Sequence, residues 1–297
     1  MERPGFLDFL RWQWDRPEHA PWEPPLAQPA PLAGQPGKAV TWIGHATVLL
    51  EVDGRTVLTD PVFTPRASPV DWAGPARYTP ARPALAELPP IDAVVISHNH
   101  YDALDAESVE ALARTNPEAR FFVPLGLAEW FRDRGIRRVT ELDWWESTEY
   151  AGMTLTATPV QHWSKRGLFD ENESLWAGWA VDFGDFDFWF AGDTGYQPVH
   201  SRETGRRLGP FDLAAIPIGA YAPRWFMKTS HVTPEEAMRI REDVGARRAL
   251  AIHWGTFPLT DEPPPEPAER LRSAREAAGL APTAFRVLRH GETWHLR

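Results

Sequence analysis

The chain contains no cysteine among its 297 residues. This absence excludes disulfide bridges, thiolate zinc sites and a cysteine nucleophile, so histidine and carboxylate side chains remain as metal ligands. The sequence also lacks an apolar run of transmembrane length, and its N-terminal segment is broken by charges, unlike a signal peptide. We therefore expect a soluble, cytoplasmic protein, with a peripheral position at a membrane left open.

Positive charge is in deficit, with 31 Lys and Arg residues against 41 Asp and Glu residues and a formal net charge of −10. Nucleic-acid grooves bind backbone phosphates through Lys and Arg, so a nucleic-acid partner is not expected. The same balance gives no electrostatic help in docking to anionic lipid, although insertion of apolar side chains remains open.

The first 38 residues differ in composition from the rest of the chain. They begin with an aromatic-rich segment that can form a short helix, containing Phe6, Leu7, Phe9, Leu10, Trp12 and Trp14. A proline-rich stretch from 17 to 36 follows, which suits an extended arm. We predict an N-terminal arm over 1–38 and one larger domain over 39–297. The aromatic residues of the arm are expected to pack on that domain or on a subunit partner, and dipping into a membrane is the alternative.

The larger domain shows strand and helix patterns in alternation. Helices are predicted over 106–116, 126–134 and 233–245, the last from a capping box at Thr233. Apolar or alternating segments predict strands over 40–43, 46–52, 56–59, 91–97, 120–123, 138–142, 153–160, 175–183, 186–191, 213–218 and 249–252, and a hairpin-like pair over 284–296. Many strands with interspersed helices favour an α/β fold of two sheets face to face with helices outside.

The segment after the strand over 91–97 carries the densest set of metal-binding side chains. His98 and His100 are separated by one residue, and Asp102 lies two residues further on. Imidazoles at such spacing beyond a strand end can converge on one metal, and the carboxylate can serve a second. This spacing predicts a metal centre.

Other strands also end in polar side chains that bind metals or anions. His45, Asp60, His162, Asp193 and His253 each follow a predicted apolar strand. A lone histidine at a strand end is usually structural, but the repeated placement indicates one shared site at a sheet edge.

These residues lie in sequence blocks that resemble the metallo-β-lactamase superfamily, and most closely its N-acyl phosphatidylethanolamine-hydrolysing phospholipase D family. The HxHxD segment SHNHYD (97–102) is joined by TWIGHAT (41–47), FAGDTGY (190–196) and AIHWGTF (251–257). Further matching blocks lie at 58–61, 88–93, 122–126, 141–145, 161–163, 209–221 and 223–228. The resemblance implies the metallo-β-lactamase αβ/βα sandwich, with two mixed sheets and helices outside.

The resemblance also implies the metal ligands. His98, His100 and His162 would hold a first metal, Asp193 would bridge two metals, and Asp102 with His253 would hold the second. Zinc suits the histidine-rich first site, and manganese or iron suits a site with more carboxylates.

The implied activity is phosphodiester hydrolysis of N-acyl phosphatidylethanolamine to N-acylethanolamine and phosphatidic acid by a hydroxide that bridges the metals. His231, which the family resemblance marks as a substrate contact, would orient the phosphoryl oxygens or protonate the leaving group. Tyr101 resembles a substrate-contacting tyrosine of the family, with simple packing as the alternative. Asp60 is expected to fix a ligand imidazole, and His45 either supports a ligand or contacts phosphate. The family also suggests a phospholipid partner, transient membrane contact and a homodimer.

Ala103 departs from the HxHxDH signature, because it stands where the signature has its last histidine. We interpret it as a recent or deliberate histidine-to-alanine change in a working hydrolase, and a natural variant with a water-completed second site is the alternative. In both cases Asp102, Asp193 and His253 are left as second-site ligands, so weaker binding of the second metal and low activity are expected. The other functions left open are a different hydrolase of this fold, such as a lactonase or phosphoesterase, and a lipid-binding protein without turnover.

Overall fold

The computed structural model describes residues 5–17, 21–27 and 37–296. Its core is made of two seven-stranded sheets. In the first sheet the spatial order is β14 (Glu292–Leu296), β1 (Lys38–Gly44), β2 (Thr47–Val52), β3 (Arg55–Thr59), β4 (Ala93–Val95), β5 (Arg120–Pro124) and β6 (Val139–Leu142). The next strand along the chain, β7 (Ser147–Tyr150), begins the second sheet.

The second sheet has the same size and the same mixture of strand directions as the first, in which the strands from β14 to β3 pair antiparallel and those from β3 to β6 pair in parallel. Its order is β13 (Phe285–Arg286), β12 (Arg248–Ile252), β11 (Leu213–Pro217), β10 (Asp187–Phe190), β9 (Gly178–Asp182), β8 (Met153–Thr158) and β7 (Ser147–Tyr150). The strands from β10 to β13 are parallel, whereas β7 to β10 form an antiparallel meander. Both sheets are therefore mixed, as the predicted fold requires.

The inner faces of the two sheets form the main core. Trp42 and Leu50 of the first sheet and Trp179 and Phe190 of the second belong to one cluster of buried apolar side chains. A separate cluster places the apolar face of helix α2 (Ala106–Thr115), with Val109 and Leu112, against the outer face of the first sheet. The predicted sandwich of two sheets with helices outside is confirmed.

Seven α-helices lie in the described residues. They are α1 (Phe6–Asp15), α2 (Ala106–Thr115), α3 (Ala128–Arg132), α4 (Pro198–Leu208), α5 (Arg224–Met227), α6 (Pro234–Asp243) and α7 (Glu266–Ala277). The start of α6 has the predicted capping box, since the Thr233 hydroxyl accepts a hydrogen bond from the Glu236 N–H and the Glu236 carboxylate accepts one from the Thr233 N–H. None of the helices in these ranges is both long and apolar enough to cross a bilayer.

The hairpin-like pair predicted over 284–296 is wrong. β13 pairs with β12 in the second sheet, whereas β14 pairs with β1 in the first. The segment between them crosses from one sheet to the other, and the Gly291 N–H donates to the Trp42 carbonyl on the way. Two short apolar segments separated by a turn have the same sequence pattern in a hairpin and in such a crossover.

The N-terminal segment lies against the domain at two places. In α1 the buried Trp12 stacks on Phe226 with ring centroids 5.1 Å apart, and its indole N–H donates to Asp261. Further along, Trp22 packs against Tyr78 and Trp254. Parts of the predicted arm, 1–4, 18–20 and 28–36, lie outside the described residues.

Candidate metal centre

The first group of ligands is a convergence of three imidazole rings. The Nδ1 atom of His100 lies 2.8 Å from Nε2 of His98 and 3.3 Å from Nε2 of His162. His98 and His100 both lie in the turn after β4 of the first sheet. His162 lies just after β8 of the second sheet, so the two sheets together supply the three rings. In a tetrahedral zinc site with bonds of about 2.0–2.1 Å, neighbouring ligand atoms lie about 3.3 Å apart. The three rings are therefore spaced to hold one metal.

Supporting contacts fix the protonation of two of these rings. Asp60 accepts hydrogen bonds from the Ser97 N–H at 2.7 Å and from the Ser97 hydroxyl at 2.5 Å. Since that hydroxyl donates to Asp60, it accepts from Nδ1 of His98 at 2.8 Å. Likewise Nδ1 of His162 donates to the Ser230 carbonyl at 3.0 Å. Each Nε2 atom is then left with its lone pair toward the centre.

Asp193 connects the first group to the second. Its Oδ2 lies 3.7 Å from Nε2 of His98 and 3.8 Å from Nε2 of His162, whereas its Oδ1 lies 3.1 Å from Nε2 of His253. One carboxylate therefore faces both groups with a different oxygen toward each. This is the geometry that a bridging ligand requires.

The second group contains Asp102, His253 and His45. Oδ2 of Asp102 lies 3.5 Å from Nε2 of His253 and 3.1 Å from Nε2 of His45. Among the described residues, Nε2 of His253 has no hydrogen-bond partner although two carboxylate oxygens are this near. A nitrogen lone pair directed with the carboxylates at a common cation accounts for that arrangement, so the residues fit a metal here also.

Burial and charge act in opposite directions on the titratable groups of the centre. Burial lowers the pKa of His98 to about 3, which keeps this imidazole neutral and able to bind a metal. Burial also disfavours charge on His253, but Asp193 and Asp102 outweigh it and raise the pKa of His253 to about 10. Burial alone would raise the pKa values of Asp102 and Asp193, yet the surrounding histidines hold both well below the usual range. The two carboxylates stay anionic, and a divalent cation bound between them and His253 would take the place of the proton that they hold on this imidazole.

His231 lies at the edge of the centre. One ligand atom each from His162, Asp193 and His231 lie within 4.8 Å of one another, and the His231 ring lies 5.3 Å from that of His253. Its main chain is held by α5, since the His231 N–H donates to the Met227 carbonyl and Arg224 donates to the His231 carbonyl. No described residue makes a hydrogen bond to its buried Nδ1 atom. The ring is available to a group bound at the metals.

Tyr101 is directed away from the two ligand groups. Its hydroxyl donates to the Arg166 carbonyl at 2.9 Å, and the Arg166 guanidinium lies 4.2 Å from the ring centroid. Both residues line a cavity of about 320 Å³ whose lining includes none of the predicted metal ligands. A substrate contact by Tyr101 stays a prediction.

The sequence did not indicate three supporting residues. Ser97 links Asp60 to His98, the Ser230 carbonyl orients His162, and the Thr256 hydroxyl accepts the His45 N–H at 2.7 Å. The supporting roles of Ser97 and Thr256 could have been inferred from the sequence, since each residue lies in a matching block that also carries a predicted metal ligand. Ser230 acts through its carbonyl, which no side-chain pattern reveals.

Comparison with known proteins identifies the family. The model of the "Beta-lactamase superfamily domain" matches residues 55–254. The N-acyl-phosphatidylethanolamine-hydrolyzing phospholipase D 1 of Caenorhabditis elegans is 47% identical over 269 residues, which cover 87% of this chain and 76% of that protein. The chain belongs to this phospholipase D family of the metallo-β-lactamase superfamily.

A second relative matches the chain in sequence, and a solved structure matches it in fold. The mitochondrial N-acyl-phosphatidylethanolamine-hydrolyzing phospholipase D of Saccharomyces cerevisiae is 36% identical, over 81% of this chain and 52% of that protein. The structure of Igni18, a metallo hydrolase from Ignicoccus hospitalis, is similar in fold, with a TM-score of 0.65 and 22% identity over 88% of this chain and 98% of that one. The protein is a metal-dependent hydrolase of the metallo-β-lactamase fold.

The path from Asp60 through Ser97 to His98 yields a testable prediction. Ser97→Ala is expected to weaken first-site metal binding by about 10–100-fold, because the imidazole then loses the partner that fixes its orientation. Asp60→Ala should lower the metal affinity by a similar factor. The double variant should lower it little further, since both changes break one network. Competition with a chromophoric chelator measures the affinity. Ser164→Ala is the control, because it removes an equally buried hydroxyl that is bonded to the Ser174 carbonyl. Losses of metal affinity that add up in the Ser97→Ala, Asp60→Ala double variant would contradict a shared network.

Proposed function

We propose that this enzyme hydrolyses N-acyl phosphatidylethanolamine to N-acylethanolamine and phosphatidic acid. The 47% identity to the Caenorhabditis elegans phospholipase D is the observation that carries the proposal, because it extends over 87% of the chain and so over all of the centre. The centre supports it with two groups of metal ligands that Asp193 joins.

The reaction exchanges one bond at phosphorus. The bond from phosphorus to the ethanolamine oxygen breaks, a bond from phosphorus to a water oxygen forms, and the departing alkoxide takes up a proton. Two bound divalent ions, which we propose to be zinc, supply an activated water at neutral pH and neutralise the phosphodiester charge.

The protein residues position these components. His98, His100 and His162 would hold one ion, and Asp102 and His253 would hold the other, with the Asp193 carboxylate facing both groups. His231 is placed by α5 beside Asp193, where its ring meets a phosphoryl oxygen or the leaving oxygen of a bound substrate. The reaction therefore needs no nucleophilic side chain.

An apolar surface next to His231 suits a lipid substrate. Trp14 and Leu7 of α1 are 90% and 80% exposed, and Trp225 of α5 is 52% exposed. The two helices are in contact through Trp12 and Phe226, and the residues after α5 lead directly to His231. We propose that this surface, formed by Leu7, Leu10, Trp14 and Trp225, contacts the bilayer that presents the substrate.

The surface can be tested separately from the chemistry. The double change Leu7→Ser with Trp14→Ser should lower hydrolysis of vesicle substrate roughly tenfold or more, because each side chain gives up about 1.5–3 kcal/mol of burial in lipid. Hydrolysis of the same lipid dispersed in detergent should stay within about twofold. Val199→Ser on α4 removes an exposed apolar side chain from another helix and serves as the control. Equal losses on vesicles and in detergent would contradict the proposed membrane contact.

Product analysis tests the substrate and the reaction together. Vesicles of N-acyl phosphatidylethanolamine in phosphatidylcholine are incubated with the zinc-loaded enzyme, and lipids are identified by mass spectrometry. Equal amounts of N-acylethanolamine and phosphatidic acid are expected, and His231→Ala should reduce both. Diacylglycerol as the product would contradict cleavage on the ethanolamine side. Hydrolysis of lactones or simple phosphodiesters alone would favour another hydrolase of this fold. Binding to vesicles without release of products would favour a lipid-binding protein.

A further inference from the structure

The position of Ala103 leaves the second site one side chain short of the family pattern. Ala103 is buried, and its N–H donates to the His100 carbonyl in the turn that carries His100 and Asp102. A methyl group there offers nothing to a metal. Counting by the family pattern alone, Asp102, Asp193 and His253 would remain.

His45 lies beside Asp102 and His253, two of the remaining ligands of the second site. One ligand atom each from His45, Asp102 and His253 lie within 4.8 Å of one another. Nε2 of His45 is 3.1 Å from the same Asp102 oxygen that lies 3.5 Å from Nε2 of His253. These separations match the distance of about 3.3 Å between ligand atoms in a tetrahedral site with bonds of about 2.0–2.1 Å. The ring centroids of His45 and His253 are 4.0 Å apart, so the two imidazoles lie side by side.

The backbone holds His45 in this position. It lies in the turn between β1 and β2 with φ of +53°, a left-handed conformation that costs a residue with a side chain about 1–2 kcal/mol. Its N–H donates to Thr256 at 2.7 Å, and its carbonyl accepts hydrogen bonds from the Trp42 indole and from the His253 N–H, each at 2.9 Å. The turn is thus tied directly to His253. A strained, buried histidine anchored to a ligand residue is placed for a role at the site.

We propose that His45 replaces the absent histidine and is a ligand of the second metal. The second site then has four protein ligands, His45, Asp102, Asp193 and His253, and Ala103 does not by itself disable it. The inference rests on the two-metal centre of the proposed function but not on its lipid substrate. The competing role for His45 is an N–H that donates to Asp102 and only orients that carboxylate.

Metal occupancy distinguishes the two roles without any substrate. The purified chain is equilibrated at fixed free zinc with a competing chelator, and zinc per chain is measured by mass spectrometry. The unchanged chain should hold two ions per chain. His45→Gln, whose amide can still donate to Asp102, should keep the first ion and bind the second more than about 100-fold more weakly, beyond the 10–100-fold range of an orienting partner.

Restoring the family histidine provides the decisive comparison. The double variant His45→Gln with Ala103→His should recover the second ion, whereas Ala103→His alone should raise second-site affinity less than about threefold, because the site is already complete. His200→Gln, a change of a histidine on α4 outside both ligand groups, should retain two ions. Circular dichroism and retention of the first ion show that each variant is folded.

Two results would overturn the inference. The first is a loss of less than tenfold in the affinity of the His45→Gln variant for the second ion. The second is a large gain in second-ion affinity on Ala103→His alone, a measurement that leaves His45 intact and so holds even if His45→Gln unfolds. A chain that holds two ions but releases no N-acylethanolamine would instead refute the proposed substrate and leave the role of His45 standing.

Discussion

An Asp193→Asn variant is expected to lose at least about a thousandfold in hydrolysis, because the charge stabilisation at a two-metal site is several kcal/mol and each 1.36 kcal/mol is a factor of ten. The reason is geometric. Oδ1 of Asp193 faces His253 and Oδ2 faces His98 and His162. A carboxamide has one oxygen and no charge, so it cannot bind both ions.

Metal analysis of the same variant locates the cause of the loss. Zinc content should fall below two ions per chain, since the ligand group on each side of Asp193 loses one of its oxygen ligands. Asp243→Asn is the matched control, because Asp243 is bonded to Tyr196 and Ser201, away from the ligands. Full zinc content together with full activity in Asp193→Asn would remove Asp193 from the role of bridging ligand.

The largest stability effect is expected at Trp179, whose side chain connects the two sheets. It is fully buried in the main core on β9, and its indole N–H donates to the Ile96 carbonyl at 2.8 Å, just after β4. Trp179→Ala should lower the free energy of unfolding by about 3–5 kcal/mol, because it leaves a cavity in addition to the lost burial. Urea denaturation of the metal-free chain measures the change.

Two control variants separate burial from the hydrogen bond. Trp179→Phe keeps most of the apolar area and loses the N–H. It should lower the free energy of unfolding by about 1–3 kcal/mol, because the Ile96 carbonyl is left without its hydrogen-bond partner. Trp72→Ala, at an exposed tryptophan, should stay within about 0.5 kcal/mol. A loss below 1 kcal/mol in Trp179→Ala would show that this contact does not hold the sheets together.

Much of the fold was predictable because the apolar strand segments are bounded by turn residues or by the polar residues of the site. The β1, β2 and β3 segments have apolar runs with a turn at Asp53 and Gly54, and the structure has two antiparallel pairings there. The strands predicted over 175–183 and 186–191 are present as β9 and β10, which pair antiparallel. Helices α4 and α7 were not predicted, because their polar sequences present few apolar residues at helical spacing.

The metal centre was predictable as a set of residues but not as a geometry. The HxHxD spacing placed His98, His100 and Asp102 in one turn, and the family blocks supplied His162, Asp193 and His253. The proposed role of His45 rests on a contact with a residue 57 positions away along the chain. Only the tertiary fold brings the turn after β1 beside the turn after β4, so the sequence left its role open.

Isotope labelling shows whether an activated water attacks phosphorus at this centre. The zinc-loaded enzyme hydrolyses N-acyl phosphatidylethanolamine vesicles in water enriched in ¹⁸O, and both products are analysed by mass spectrometry. The account predicts one ¹⁸O atom in the phosphatidic acid, none in the N-acylethanolamine, and loss of both products when zinc is removed. Label in the N-acylethanolamine, or no hydrolysis by a chain that holds two ions, would contradict it.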